Sequence, residues 1–99
     1  MPHMYILECI DGSYYTGSTV DLQRRLRQHF LGIGANYTCK HPPVRLVYTE
    51  EYGRVSDAFY REKQIQKWSH AKKQALIEGR MGELTGLAKK EFGPRYNSA

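Results

Sequence analysis

Glu62 stands where an apolar residue is expected. It follows Ala58 by four residues and Phe59 by three, and precedes Ile65 by three, so on a helix it shares their face. A carboxylate on a buried or half-buried face is costly unless it is paired or binds a metal ion. Helical phase leaves both assignments open: an ion pair with Arg24, Arg25 or a neighbour of Arg61, or a metal ligand. Arg25 and His29 lie one turn apart on the flank of a stripe made by Leu22, Leu26 and Phe30. Alone, each reads as a boundary residue, an arginine stem lying along an apolar edge and an ordinary histidine. With an in-stripe acid on another helix they form a candidate cluster: a planar cation suited to phosphate, an imidazole that titrates near neutrality and a carboxylate.

Tyrosine supplies the other candidates. Five of the eight tyrosines, at 5, 14, 15, 48 and 52, fall in strand-like runs, where the residue usually packs. The turn chemistry of Asp11-Gly12-Ser13 decides whether Tyr5 and Tyr15 can share a site. A two-residue turn sends them to opposite faces. A three-residue Asp-Gly-Ser turn, pairing Ile10 with Tyr14, puts Tyr5, Cys9 and Tyr15 on one face. A joint role therefore predicts the odd-length turn.

The elements that must position these residues follow from the same patterning. Residues 5–10 and 14–18 read as a β-hairpin, and Thr19 or Asp21 caps a helix that Gly32 and Gly34 end. Residues 35–43 are polar and close on Pro42-Pro43, so they read as a loop before a third strand over 44–52. Ser56 is the expected N-cap of a helix carrying Ala58, Phe59, Ile65 and Trp68, with Asp57 in its first turn. Ser69 caps another over 70–78, with Ala71, Ala75 and Leu76 on one side and a stop at Gly79; 83–92 reads as a final helix. The order predicts an α+β domain with a small three-stranded, largely antiparallel sheet flanked by helices. A single domain over 1–92 with a tail over 93–99 is expected.

Composition narrows the function class. With 99 residues, 40% hydrophobic and 25% charged, the chain is an ordinary globular protein with no apolar run of membrane-span length, and a cytoplasmic location is expected. Cys9 and Cys39 form no C-x-x-C pair and read as reduced thiols, and the four histidines lack zinc-ligand spacing. A net charge of +5 and a pI near 9.3 favour a polyanionic partner, because lysine and arginine displace counterions condensed on phosphates.

The run Met4-Tyr5-Ile6, followed after ten residues by Tyr15-Thr16-Gly17, resembles the paired half-motifs of the GIY-YIG nuclease superfamily. The likeness continues with Arg25 and His29 on the next helix and Glu62 within YREKQIQKW. It also covers Arg24-Arg25-Leu26, Gly34-Ala35-Asn36-Tyr37-Thr38 and the proline-led third strand, so that 5–77 follows the order of the small stand-alone bacterial members. Met4 replaces the glycine of the first half-motif, Thr16 the isoleucine of the second, and Ser18 a lysine found in some relatives. No asparagine follows the glutamate helix at the usual distance, and Asn97 is left unassigned.

The resemblance implies a divalent-metal-dependent endonuclease acting on DNA, on single-stranded or structured substrates among others, in repair or DNA processing. Glu62 would hold Mg²⁺ or Mn²⁺, hard cations that prefer oxygen ligands. Tyr5 and Tyr15 would orient the attacking water, one of them as general base; Arg25 would clamp a phosphoryl oxygen, and His29 would share the proton relay. Arg24, Tyr37, Thr38, Lys40, Lys63, Lys67, Lys72 and Lys73 are the candidate strand contacts, with Tyr37 able to stack on an unpaired base. Such a domain would work as a monomer or homodimer. Two other assignments use the same features: a non-catalytic nucleic-acid-binding module on this fold, and a basic surface for an acidic protein partner.

Overall fold

The computed structural model describes residues 1–79. They group into two compact units, Met1–Trp68 and a second that begins at Ser69. The expected helix over 83–92, the tail and the expected domain limit at 92 lie outside the described residues.

The first unit is a three-stranded antiparallel sheet in the order β2-β1-β3, with β1 (His3–Cys9) in the centre, β2 (Tyr14–Thr19) on one edge and β3 (Pro43–Glu51) on the other. Being central, β1 is covered on both faces: Met4, Tyr5, Ile6, Leu7 and Cys9 are all buried. It pairs Tyr5 with Gly17 and Leu7 with Tyr15. Strand alternation then sends Tyr5, Tyr15 and Gly17 to one face and Met4, Ile6, Thr16 and Ser18 to the other. The turn has odd length, as the shared tyrosine face requires, but it begins one residue earlier than expected. Cys9 N–H donates to the Ser13 carbonyl at 2.9 Å, and the three turn residues are Ile10, Asp11 and Gly12. Gly12 takes the left-handed position at φ +84°, and Asp11 accepts from Ser13 N and Oγ at 3.1 and 2.6 Å. These two preferences fix the turn and leave Ile10 exposed.

Helix α1 (Leu22–Phe30) is capped by Asp21, whose carboxylate accepts from Arg24 N at 3.0 Å. Its inward face is not the expected one: His29 is completely buried while Phe30 is exposed. The inner row is Leu22, Leu26 and His29, spaced four and three, so the histidine takes the core position that Phe30 was expected to fill. The segment expected to be a loop contains a short helix, α2 (Asn36–Lys40), which buries Thr38. Two bulge-like register shifts in the β1–β3 pairing lie beside Ile6/Leu7 and Glu8/Cys9.

Helix α3 (Val55–Gln66) packs against β1 and β2. Its N-cap is Arg54 rather than Ser56, and Arg54 Nε pairs with Asp57 at 3.3 Å. Its buried residues are Ala58, Glu62 and Ile65; Phe59 is exposed, and Trp68 lies beyond the helix end. In the second unit, α4 (His70–Ile77) starts at Ser69, whose Oγ accepts from Lys72 N at 3.1 Å. It buries Ala75 and Leu76 while Ala71 is exposed, and Gly79 follows at φ +75°.

Candidate active site

The sequence candidates come together along the edge strand β2. Tyr5 Oη lies 2.7 Å from Nε2 of His29, and the other ring nitrogen, Nδ1, lies 2.8 Å from Thr38 Oγ1. Tyr15 joins the same aromatic cluster, its ring centroid 6.3 Å from that of Tyr5 and 5.2 Å from that of His29. Tyr37 stacks on Tyr15 at 5.8 Å and His41 on Tyr37 at 4.2 Å. Gly17 makes the tyrosine pair possible, because a Cβ there would stand 2.5 Å from Tyr5 Oη and 3.0 Å from the Tyr15 ring.

Charge is arranged around these rings. Burial, the neighbouring Tyr15 and the Glu62 charge outweigh the Arg25 guanidinium and push Tyr5 up to about 12. Burial likewise raises Tyr15, against Arg25. Burial, then Arg25, pull His29 down to about 4. At neutral pH the resting site therefore holds two protonated phenols beside a neutral imidazole. Arg25 reaches both phenols, and its Nη1 donates to the Gln28 side chain at 3.0 Å.

Glu62 arrives from α3 and is 8% exposed. Its hydrogen-bond donors are neutral: Ser18 Oγ donates to Oε1 at 2.5 Å and Gln66 Nε2 to Oε2 at 2.6 Å. Gln66 also donates to the Thr16 carbonyl at 3.2 Å, which ties the carboxylate to β2. The arginine pairing open at the level of helical phase is not what forms. Arg61 turns to Glu50 at 3.0 Å, and the cation beside Glu62 is Lys63, 3.7 Å from Oε2. Ser18, at the place where some relatives carry a lysine, serves as a hydrogen-bond donor to the carboxylate.

The expected strand contacts separate into groups. Arg24 and Lys40 are exposed on α1 and α2. Lys63 sits over the Phe59 ring at 4.9 Å, and with Lys67, Tyr60, Gln64 and Trp68 it lines an open groove of about 370 Å³. Lys72 and Lys73 belong to the second unit, both half-buried, with burial lowering the Lys73 pKa. Thr38 is corrected: at 2% exposure it is closed to a strand and is instead a partner of His29. Residue-type reasoning passed over Gln66, one turn beyond Glu62, and Gly34, where a Cβ would stand 2.6 Å from His29 Nδ1. The only signal for Gly34 and Thr38 was their place in the Gly34-Ala35-Asn36-Tyr37-Thr38 motif. Both thiols are free, Cys9 buried and Cys39 exposed.

The family model described as the GIY-YIG catalytic domain matches residues 1–75. The chain belongs to the GIY-YIG family. Membership makes it part of a nuclease superfamily, with Tyr5, Tyr15, Arg25, His29 and Glu62 all inside the matched region. Similar chains occur in archaea as well as bacteria. A UPF0213 protein of Halobacterium salinarum is 49% identical over 77 residues, covering 78% of this chain and all of the relative. A UPF0213 protein of Staphylococcus aureus is 44% identical, covering 78% of this chain and 94% of the relative. The solution NMR structure of a UPF0213 protein from Bacillus halodurans superimposes with a TM-score of 0.52 at 41% identity, over 83% of this chain and 88% of that one. Among the described residues no helix is long and apolar enough to cross a membrane.

Proposed function

We propose that this GIY-YIG chain is a divalent-metal-dependent endonuclease that hydrolyses phosphodiester bonds in DNA. The observation that carries the reading is Glu62, a nearly buried carboxylate whose two oxygens accept from serine and glutamine rather than from arginine. Its carboxylate acts electrostatically on both phenols, which Arg25 also reaches. The donor suits a hard cation: Glu62 offers carboxylate oxygen, and Mg²⁺ or Mn²⁺ is held by one or two carboxylates plus water and substrate oxygens. When bound at Glu62, the ion would polarise the phosphoryl group and stabilise the departing oxygen.

The remaining steps belong to the side chains. Arg25 presents a planar donor fork to the phosphoryl oxygens and favours phenolate over phenol at both tyrosines. Tyr5 and Tyr15 orient the attacking water from one face of the sheet. Of the two phenols, Tyr5 has an imidazole acceptor for its proton, His29 Nε2 at 2.7 Å. Arg24, Lys40, Lys63 and Lys67 supply sequence-independent attraction for the backbone.

Labelled single-stranded, duplex and branched DNA incubated with Mg²⁺ or Mn²⁺ tests the reading. Wild-type protein is expected to cut at least one of them, and chelation, Glu62→Ala and Tyr15→Phe to suppress cutting. A Glu62→Ala protein that cuts as fast as wild type would end the metal mechanism.

A further inference from the structure

The Gly34-Ala35-Asn36-Tyr37-Thr38 motif has no role in the mechanism so far, yet it surrounds the imidazole of His29. Thr38 Oγ1 lies 3.1 Å from the Ala35 carbonyl oxygen as well as 2.8 Å from His29 Nδ1. A carbonyl can only accept, and two oxygens at that distance repel unless a proton lies between them. Thr38 has a single hydroxyl proton, which therefore goes to Ala35. Its oxygen must then accept from Nδ1–H. A neutral imidazole carries one N–H, so Nε2 is bare and receives the Tyr5 hydroxyl at 2.7 Å. The result is one directed chain, from Tyr5 O–H through the imidazole to Thr38 O–H and the Ala35 carbonyl. Histidine free in water prefers its proton on Nε2, so the chain holds the less favoured tautomer.

Packing locks the same geometry. His29 is completely buried and Thr38 nearly so. The absent Gly34 side chain lets the backbone lie against the ring, where a Cβ would meet Nδ1 at 2.6 Å and Cε1 at 3.1 Å. Tyr37, from the same segment, stacks on Tyr15. One five-residue motif thus supports both the imidazole and the second phenol.

We propose that Thr38 is a positioning residue that fixes the proton of His29 on Nδ1, which makes Nε2 the acceptor for the Tyr5 proton during hydrolysis. The role in hydrolysis rests on the endonuclease reading; the tautomer does not. In the step itself, a water proton passes to Tyr5 Oη as the Tyr5 proton passes to Nε2. The new hydroxide oxygen bonds to phosphorus, the departing oxygen leaves with the electrons of the broken P–O bond and takes a proton from solvent, and the imidazolium later returns its proton to solvent. The carboxylate end is untouched, so Thr38 acts only through His29.

The test is ¹⁵N-edited NMR of the His29 ring near pH 7 in wild type, Thr38→Ser and Thr38→Val, with cleavage kinetics beside it. Wild type and the serine variant are expected to carry the proton on Nδ1, and the valine variant to move it to Nε2. Cleavage by Thr38→Val should fall in kcat by about 10- to 100-fold with KM little changed, and Thr38→Ser should recover most of the loss. A wild-type proton on Nε2, a valine variant that keeps Nδ1–H, or a moved proton with unchanged kcat each overturns the proposal. The wild-type and serine spectra decide the tautomer even if the valine variant does not fold. The expected tautomers in a protein that cuts no DNA would uphold the Thr38–His29 assignment and refute its use in hydrolysis together with the endonuclease reading.

Discussion

Two glutamates of the first unit, Glu50 and Glu62, are served in opposite ways. Glu50, on β3, accepts from Tyr48 and Tyr52 hydroxyls at 2.6 Å each and from Arg61 Nε and Nη2 at 3.0 and 3.3 Å. Burial would raise its pKa, but the arginine and tyrosine bonds outweigh burial and lower it. Tyr48 is raised in turn, by burial and by its bond to Glu50. Here the carboxylate, the guanidinium and the phenols satisfy one another, and Arg61 also lies 5.4 Å over Trp68. Around Glu62 the same residue types are present, but the carboxylate takes its hydrogen bonds from Ser18 and Gln66. Arg25 reaches both phenols and bonds Gln28, Tyr5 also meets His29, and Lys63 is the cation beside the carboxylate. Arg61 and Glu62 are adjacent on α3 yet belong to different networks. A closed network stabilises the fold; an open one keeps charge available for a ligand.

The contrast makes four predictions. The largest effect is expected at Glu62: Glu62→Gln keeps one acceptor oxygen and the packing but removes the charge, so divalent-dependent cleavage should fall about a thousandfold or more. Urea unfolding should barely move. Next is the closed network, where Glu50→Gln leaves Arg61 largely buried without its counter-charge and should cost about 3 kcal/mol. The activity of the folded fraction should stay near wild type, and a large loss of specific activity at unchanged stability would erase the distinction between the two glutamates.

The third prediction concerns pH. His29 titrates at about 4 in the folded protein, against about 6.5 when unfolded. Between those values the unfolded chain binds the extra proton, so stability is fully present above about pH 6.5 and declines as pH falls toward 4. The loss reaches at most about 3 kcal/mol. Urea midpoints at pH 7 and 4.5 should diverge in wild type and converge in His29→Gln; equal slopes in the two proteins would contradict a buried neutral imidazole. The smallest effect is at the groove on α3. Lys67→Ala should weaken DNA retention a few-fold and reduce the salt dependence by about one counterion, with kcat unchanged.

Much of this arrangement is written locally. Helical phase places Glu62 among Ala58 and Ile65, and residue alternation with an odd turn puts Tyr5 and Tyr15 on one face. Those inferences work because helix and strand periods are fixed by backbone geometry. What failed was choice among local near-equals. The turn moved by one residue because Gly12 suits the left-handed position and Asp11 the cap. Phe30 and His29 exchanged places on α1, since both lie near the helix's inner edge and only packing chooses between them. Thr38 looked like a surface contact because a short polar helix of five residues carries too weak a pattern to reveal which side is covered.

The sequence by itself determined the strands, the long helices and the ordered motif of a GIY-YIG chain, because each depends on neighbours within a few positions. Tertiary structure alone decided the partners. It gave Ser18 to Glu62, 44 positions away, Arg61 to Glu50, and Thr38 to a His29 that is itself held against Tyr5 across 24 positions. Hydrogen-bond direction and charge compensation are properties of the assembled site, so they become visible only when distant side chains share a buried volume.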